Sequence, residues 1–248
     1  MSTRKYGWIR QLPDQRDKEY AYKIPEYTIM PTTVDMRPLC PPVFDQGNLG
    51  SCTSNSAIAM LWFLAHRQGE NPVVGSRLFH YYNERLIKSQ DTGSTIRQSV
   101  KMLVKYGAPA ETEWPYDITQ FKKKPDPKCY ADGALHLAKV YRPVSQDLVT
   151  MKSCLSDGYP ILIGFTVYSS FESAAVAKTG LMPMPSHSEN VLGGHAVLVV
   201  GYDDNKQCFT VRNSWGSAWG DAGYFYMPYA YATDPHLASD FWTITTVE

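Results

Sequence analysis

A cysteine at the start of a buried helix and a histidine at the start of a buried strand are the residues of this chain best placed to do chemistry. Cys52 follows Gly47, Gly50 and Ser51 and precedes the unbroken apolar run from Ala57 to Ala65. The glycines permit a tight turn, Ser51 is a good N-cap type, and the run predicts a helix through Arg67 that Gly69 stops. A helix without a polar stripe is a buried one. Cys52 therefore sits in the first turn of a core spine, where the positive end of the helix dipole and unpaired N–H groups favour thiolate over thiol. A cysteine without such surroundings is more often a small buried hydrophobe. A thiolate nucleophile needs a base that holds it as thiolate and later protonates the leaving amine. Gly193-Gly194-His195 supplies the candidate, where a glycine pair meets the apolar run to Gly201. His66, His80, His136 and His236 lack such surroundings, and His187 is the nearest rival.

The elements that must position these two residues divide the chain in half. After the spine, Ser76 caps a helical pattern through about Lys88, and Thr95 starts another that Gly107 stops, with the turn Asp91-Thr92-Gly93-Ser94 between them. The second half changes period. Lys139–Tyr141, Ile161–Val167, His195–Gly201, Gln207–Arg212, Tyr224–Met227 and Phe241–Thr246 carry strand signals, with one helix from a Ser145 cap to about Asp157. Helices followed by antiparallel strands predict an α+β protein of two lobes with a cleft between them.

Composition excludes several classes. The 248 residues are 44% hydrophobic, enough for one sizeable domain or a domain of two lobes. Twenty-four basic and 24 acidic residues balance, which argues against electrostatic capture of nucleic acid or an anionic membrane. Lys122-Lys123-Lys124 is then a solvated loop. The N-terminus shows no secretory signal and no apolar stretch is long enough to span a bilayer, so a cytoplasmic or otherwise intracellular monomer is expected. The five cysteines are widely spaced without a C-x-x-C pair, so neither a zinc site nor a dense disulfide framework is expected. Cys154 and Cys208 fit as core fillers, whereas Cys40 and Cys129 lie in proline-rich segments where a pairing stays open.

Three stretches resemble the papain-like cysteine peptidases. Gln46-Gly47-Asn48-Leu49-Gly50-Ser51-Cys52-Thr53 is similar to the family's Gln-Gly-x-Cys-Gly-Ser-Cys-Trp signature, with Leu49 in place of a cysteine that is disulfide-bonded in many secreted relatives and Thr53 in place of Trp. Gly193–Asp204 resembles its histidine motif. Asn213-Ser214-Trp215-Gly216-Ser217-Ala218-Trp219-Gly220 matches its Asn-Ser-Trp-Gly-x-x-Trp-Gly motif at every fixed position. His195 falls within the roughly 130–150 residues after the cysteine that the resemblance implies. The resemblance implies a papain-like two-lobe fold, with a helical N-terminal lobe at about 35–125 and an antiparallel, barrel-like β lobe at about 126–248. It further implies that Cys52 is the nucleophile, His195 the general base and then acid, and Asn213 the orienter of the imidazole beneath Trp215. Gln46 becomes an oxyanion donor. Gly93, Ser94, Gly194, Trp215 and Trp219 become substrate-binding residues. Peptide or protein substrates are implied, with no metal or organic cofactor. The same triad would also serve an acyltransferase or transpeptidase, and a peptide-binding pseudoenzyme is the non-catalytic alternative.

One feature lies outside that pattern. Residues 1–34 are shorter than the family's inhibitory propeptide, yet Tyr6, Trp8, Tyr20, Tyr22 and Tyr27 are too many aromatics for a solvated tail. The segment is expected to be an extended strap along the lobes, away from the thiolate; the other placement is in the cleft, as an inhibitor. The resemblance also implies a main specificity pocket lined beside the histidine and near the C-terminus; Gly194 and Ser239–Thr243 are its candidate walls, and bulky Phe241 and Trp242 suggest that it is hydrophobic.

Overall fold

The spine helix forms where its sequence predicts, over Cys52–Arg67 (α1), and everything from Cys52 to Leu64 is buried except Trp62. Its first turn is polar as well as buried, because each polar side chain has a partner. Thr53 Oγ1 donates to Glu84 Oε1 at 2.6 Å, Ser54 Oγ to the Arg77 carbonyl at 2.5 Å, and Ser56 Oγ to the Ala196 carbonyl at 3.1 Å. Ser51 does not cap with its side chain; its Oγ meets Tyr116 instead, at 2.5 Å. Burying these groups without partners would cost about 1–3 kcal/mol each. The partners come from the helix Arg77–Glu84, from the loop that carries Tyr116 and from the strand that carries Ala196, so the turn that holds Cys52 is clamped from both lobes.

The computed structural model describes residues 4–17 and 30–247. In chain order, Thr33–Asp35 (β1) and α1 are followed by Arg77–Glu84 (α2), Ile96–Tyr106 (α3) and Pro127–Gly133 (α4). Then come Ala138–Pro143 (β2), Leu148–Ser156 (α5), Ile161–Tyr168 (β3), Ala174–Thr179 (α6) and Val191–Asp203 (β4). Cys208–Arg212 (β5), Tyr224–Pro228 (β6), Tyr229–Thr233 (α7) and Ala238–Val247 (β7) complete the fold. The strands form one antiparallel sheet in the order β2-β7-β3-β4-β5-β6, with β1 paired to β4. This is the expected α+β architecture of two lobes.

Boundaries move where tertiary contacts override local pattern. The second helix stops at Glu84, short of Lys88, because Arg85 leaves helical geometry and buries its side chain. Its guanidinium then donates to the carbonyls of Lys88 at 2.9 Å and Gln90 at 2.6 Å, and to that of Phe121, so residues 85–90 wrap around one cation. The cap of α5 is Asp147, which accepts from the Thr150 N–H at 2.8 Å, and not Ser145. Helices α4, α6 and α7 are too short to show a period in sequence. The first of these places Cys129 on the inner side of a helix that is otherwise largely exposed.

All five cysteines are free thiols. Millimolar reductant is therefore expected to leave the melting temperature within about a degree, whereas a bridge would contribute about 2–4 kcal/mol. A fall of many degrees in a thermal scan would contradict the free-thiol assignment.

Candidate active site

Two loops bring the sequence-predicted residues to one place. The chain entering α1 and the chain leaving β5 are laced together: the Gln46 N–H donates to the Ser214 carbonyl at 2.9 Å, Ser214 Oγ donates to Gln46 Oε1 at 2.6 Å, and Asp45 bridges Trp215. Gln46 and Asn213 are thus held at one end of the cleft although 167 residues of chain separate their loops. His195 sits on β4 opposite Phe165, and the Ala196 N–H next to it points at the Cys52 sulfur.

The histidine's protonation pattern follows from its partner. His195 Nε2 lies 2.8 Å from Asn213 Oδ1, and that oxygen also accepts the Ser214 N–H at 2.8 Å. An oxygen accepting a backbone N–H leaves the ring nitrogen as the donor, so Nε2 carries the proton. Nδ1 keeps its lone pair and is buried with no hydrogen-bond partner in the protein. Trp215 stacks on the imidazole with centroids 4.9 Å apart and planes 24° apart, excluding water from the bond to Asn213. Trp219 stands edge-on behind Trp215, against Phe171 and Phe225, and is itself buried.

The cleft is filled by the chain's own N-terminus. The expected placement away from the thiolate does not hold for the described part of the segment; Tyr20, Tyr22 and Tyr27 lie outside the described residues. Arg4 lies over Trp215, 4.1 Å from the ring centre. The Lys5 carbonyl faces Gln46 Nε2 at 3.4 Å, while its ammonium pairs with Asp91 at 3.0 Å. Tyr6 meets His195 edge-on and donates to Glu172. The Gly7 N–H points at the Cys52 sulfur and the Gly7 carbonyl accepts from Ser94 N–H at 2.8 Å. Trp8 N–H donates to the Gly194 carbonyl at 3.1 Å and Ile9 N–H to the Ser94 carbonyl at 2.9 Å. Residues 7–9 therefore lie as an added strand, parallel to Ser94. Ser94 and Gly194 hydrogen-bond this extended backbone, which belongs to the chain itself, while Gly93 packs against Gly7 and gives its N–H to the Tyr81 hydroxyl.

Glycine makes this approach feasible. A Cβ on Gly7 would stand 1.7 Å from the Gly50 carbonyl oxygen, and one on Gly93, whose φ is +71°, would stand 1.9 Å from the Gly7 oxygen. Backbone here lies directly on backbone.

Burial of the covered site works against the charged form of both groups. Burial pushes the Cys52 thiol up to about 11, against the N–H groups of Ala196, Gly7 and Thr53 that favour thiolate. Burial likewise pushes His195 down to about 4; the Asn213 bond opposes this and the Arg4 charge adds to it. The thiolate expected at a helix N-terminus is not the form of the covered site, which holds a neutral thiol and a neutral imidazole.

The specificity pocket also differs from expectation. Phe241 and Trp242 turn into the core. Between Leu162↔Trp242 and Gly164↔Ser239 the β3–β7 register slips, and Asp240 sits in that bulge with φ +62°. A bulge re-aims a side chain. Here it points the Asp240 carboxylate at Trp8, accepting its indole N–H at 3.0 Å and the Gln11 N–H at 2.9 Å. The sequence gives no signal of this, because a register slip depends on the partner strand.

A two-lobed α+β chain with a cysteine at a helix start, facing an Asn-oriented histidine across a cleft, defines a thiol-dependent hydrolase. The chain belongs to the papain family of cysteine proteases, whose family model matches residues 30–241. It is 37% identical to an uncharacterized peptidase C1-like protein, L477, of Acanthamoeba polyphaga mimivirus, over 99% of this chain and 88% of that protein. It is 32% identical to cathepsin B-like CP2 of Giardia intestinalis, over 80% of this chain and 69% of that protein. The crystal structure of xylellain, a cysteine protease from Xylella fastidiosa, superposes with a TM-score of 0.92 at 38% identity, covering 100% of this chain and 98% of that one.

Proposed function

We propose that this cysteine protease hydrolyses peptide bonds through a Cys52–His195 ion pair and a thioester acyl-enzyme, and that its own residues 4–9 hold it idle until they leave the cleft. The observation that carries the reading is the unpartnered Nδ1 of His195. Its other nitrogen is committed to Asn213, so the remaining lone pair is the one base at hand for the neighbouring thiol. With the segment gone, water returns and the burial that keeps both groups neutral is relieved. Nδ1 takes the thiol proton, and the helix N-terminus stabilises the thiolate. The sulfur then attacks the scissile carbonyl. Gln46 Nε2, which holds the Lys5 carbonyl in the closed chain, donates to the oxyanion. The imidazolium passes its proton to the departing amine, leaving a thioester. Water, deprotonated by His195, adds to that thioester, and the collapse releases the acid and restores the thiol.

The test uses full-length protein opened by Gly7→Val and an internally quenched peptide substrate. Cys52→Ala is expected to abolish turnover. Gln46→Ala is expected to lower kcat by about 100–1000-fold. Appreciable turnover in the Cys52→Ala chain would sink the proposal.

A further inference from the structure

We propose that the slot between Gly164, Gly194 and Asp240 selects a tryptophan side chain in the substrate, with Asp240 as the specificity-determining residue. This rests on the peptidase reading given above and adds a substrate class to it.

Three observations support it. First, the slot has the size of an indole. A Cβ on Gly164 would lie 2.0 Å from Cε2 of Trp8, and one on Gly194 would lie 2.6 Å from its Cε3. Any other residue at either position would stand inside the ring that now fills the slot. Second, neither glycine is required by its backbone. Both lie within strands, β3 and β4, and neither has a positive φ. Glycine weakens a strand and is found inside one where something must approach closely; here that is a flat aromatic ring. Third, the slot holds a hydrogen-bond acceptor fitted to the one donor of that ring. Asp240, set in the β7 bulge, accepts the indole N–H at 3.0 Å. A phenylalanine would fill most of the space but bring no donor to this half-buried carboxylate oxygen, whose other donor is the Gln11 N–H, and a site built around a hydrogen bond discriminates against an analogue that lacks it. The slot opens beside His195, so whatever occupies it sets the position of neighbouring backbone relative to Cys52.

Binding is measured first, so that the outcome does not depend on turnover. The full-length chain carrying Gly7→Val, Trp8→Ala and Cys52→Ala is titrated calorimetrically with capped tetrapeptide amides that differ only in one residue: Trp, Phe, Leu or Arg. The Trp peptide is expected to bind at least 10-fold more tightly than each of the others. Adding Asp240→Gly, which suits the positive φ, should cut the Trp-to-Phe ratio below 3-fold. Equal binding of the Phe or Arg peptide, or a ratio untouched by Asp240→Gly, overturns the proposal. A milder variant tests the same bond in the otherwise unaltered chain. Trp8→Phe should weaken the segment's hold and raise turnover about 10-fold, and unchanged turnover in an active enzyme counts against Asp240. Cleavage profiling of the Trp8→Ala chain separates the two readings: Trp-selective binding without cleavage removes the peptidase reading and leaves the slot, whereas cleavage without Trp preference removes the slot and leaves the peptidase.

Discussion

Gly7→Val is expected to raise the peptidase turnover of the full chain by about 100-fold or more. The substitution touches no residue of the catalytic group, yet it removes the condition on which the closed state depends. With a Cβ standing 1.7 Å from the Gly50 oxygen, and that oxygen part of the backbone, the segment has to lift. Lifting it breaks three backbone hydrogen bonds, from Trp8, Ile9 and Ser94, each worth about 1 kcal/mol. It also exposes the Trp8 side chain, whose burial is worth about 1.5–3 kcal/mol. A loss of about 4–6 kcal/mol moves a closed equilibrium by three to four powers of ten, at about 1.4 kcal/mol for each. Even a partial loss gives a large gain in the open fraction. Iodoacetamide provides an independent check. Cys52 is fully buried and its thiol neutral in the closed chain, so alkylation there should be slow and should accelerate with Gly7→Val. Equal turnover and equal alkylation rates in the two chains would show that the segment does not obstruct the site.

Acidification is expected to destabilise the closed protein between pH 6.5 and 4.5, chiefly through His195. An unfolded histidine binds its proton near 6.5, whereas burial holds this one down to about 4. Over that window the unfolded state takes up a proton that the folded state refuses. The stability is therefore fully present above 6.5 and falls with pH until about 4, by about 3 kcal/mol in all. That is a large share of the roughly 5–15 kcal/mol that holds a domain together. The carboxyl of Glu189, held down by Ser170 and Ser186 to about 2, loses its contribution as pH falls from the ordinary glutamate value toward about 2, so it enters only at the acid edge of this window. Asp240 acts in the opposite sense: burial pushes its carboxyl up, so acid favours the folded form at that corner. Urea denaturation at pH 7 and 4.5 measures the effect. In His195→Gln the loss between the two pH values should shrink by about 2 kcal/mol; an unchanged loss would place the acid sensitivity elsewhere.

The sequence alone determined the spine helix and the succession of helices and strands, and through its resemblance to a known family it named Cys52, His195, Asn213 and Gln46 as the candidate set. These are matters of local chemistry. Helix α1 shows in a run of apolar residues, β4 in the run after His195, and Asn213–Gly220 in its spaced tryptophans and glycines. Tertiary structure decided what distant segments do to one another. Arg85 ends α2 because carbonyls of Lys88, Gln90 and Phe121 converge on it, and Asp240 faces the cleft because β7 slips against β3. The N-terminal segment has no period of its own, so its sequence shows only that its aromatics need burial. Where they go is settled by complementarity: Gly7 fits against Gly50 and Gly93, and Trp8 fits against Gly164, Gly194 and Asp240. The charge state of the site follows from the same cover. A helix N-terminus favours a thiolate, but a thiol sealed from water under Gly7 stays neutral, because desolvation outweighs a few N–H groups.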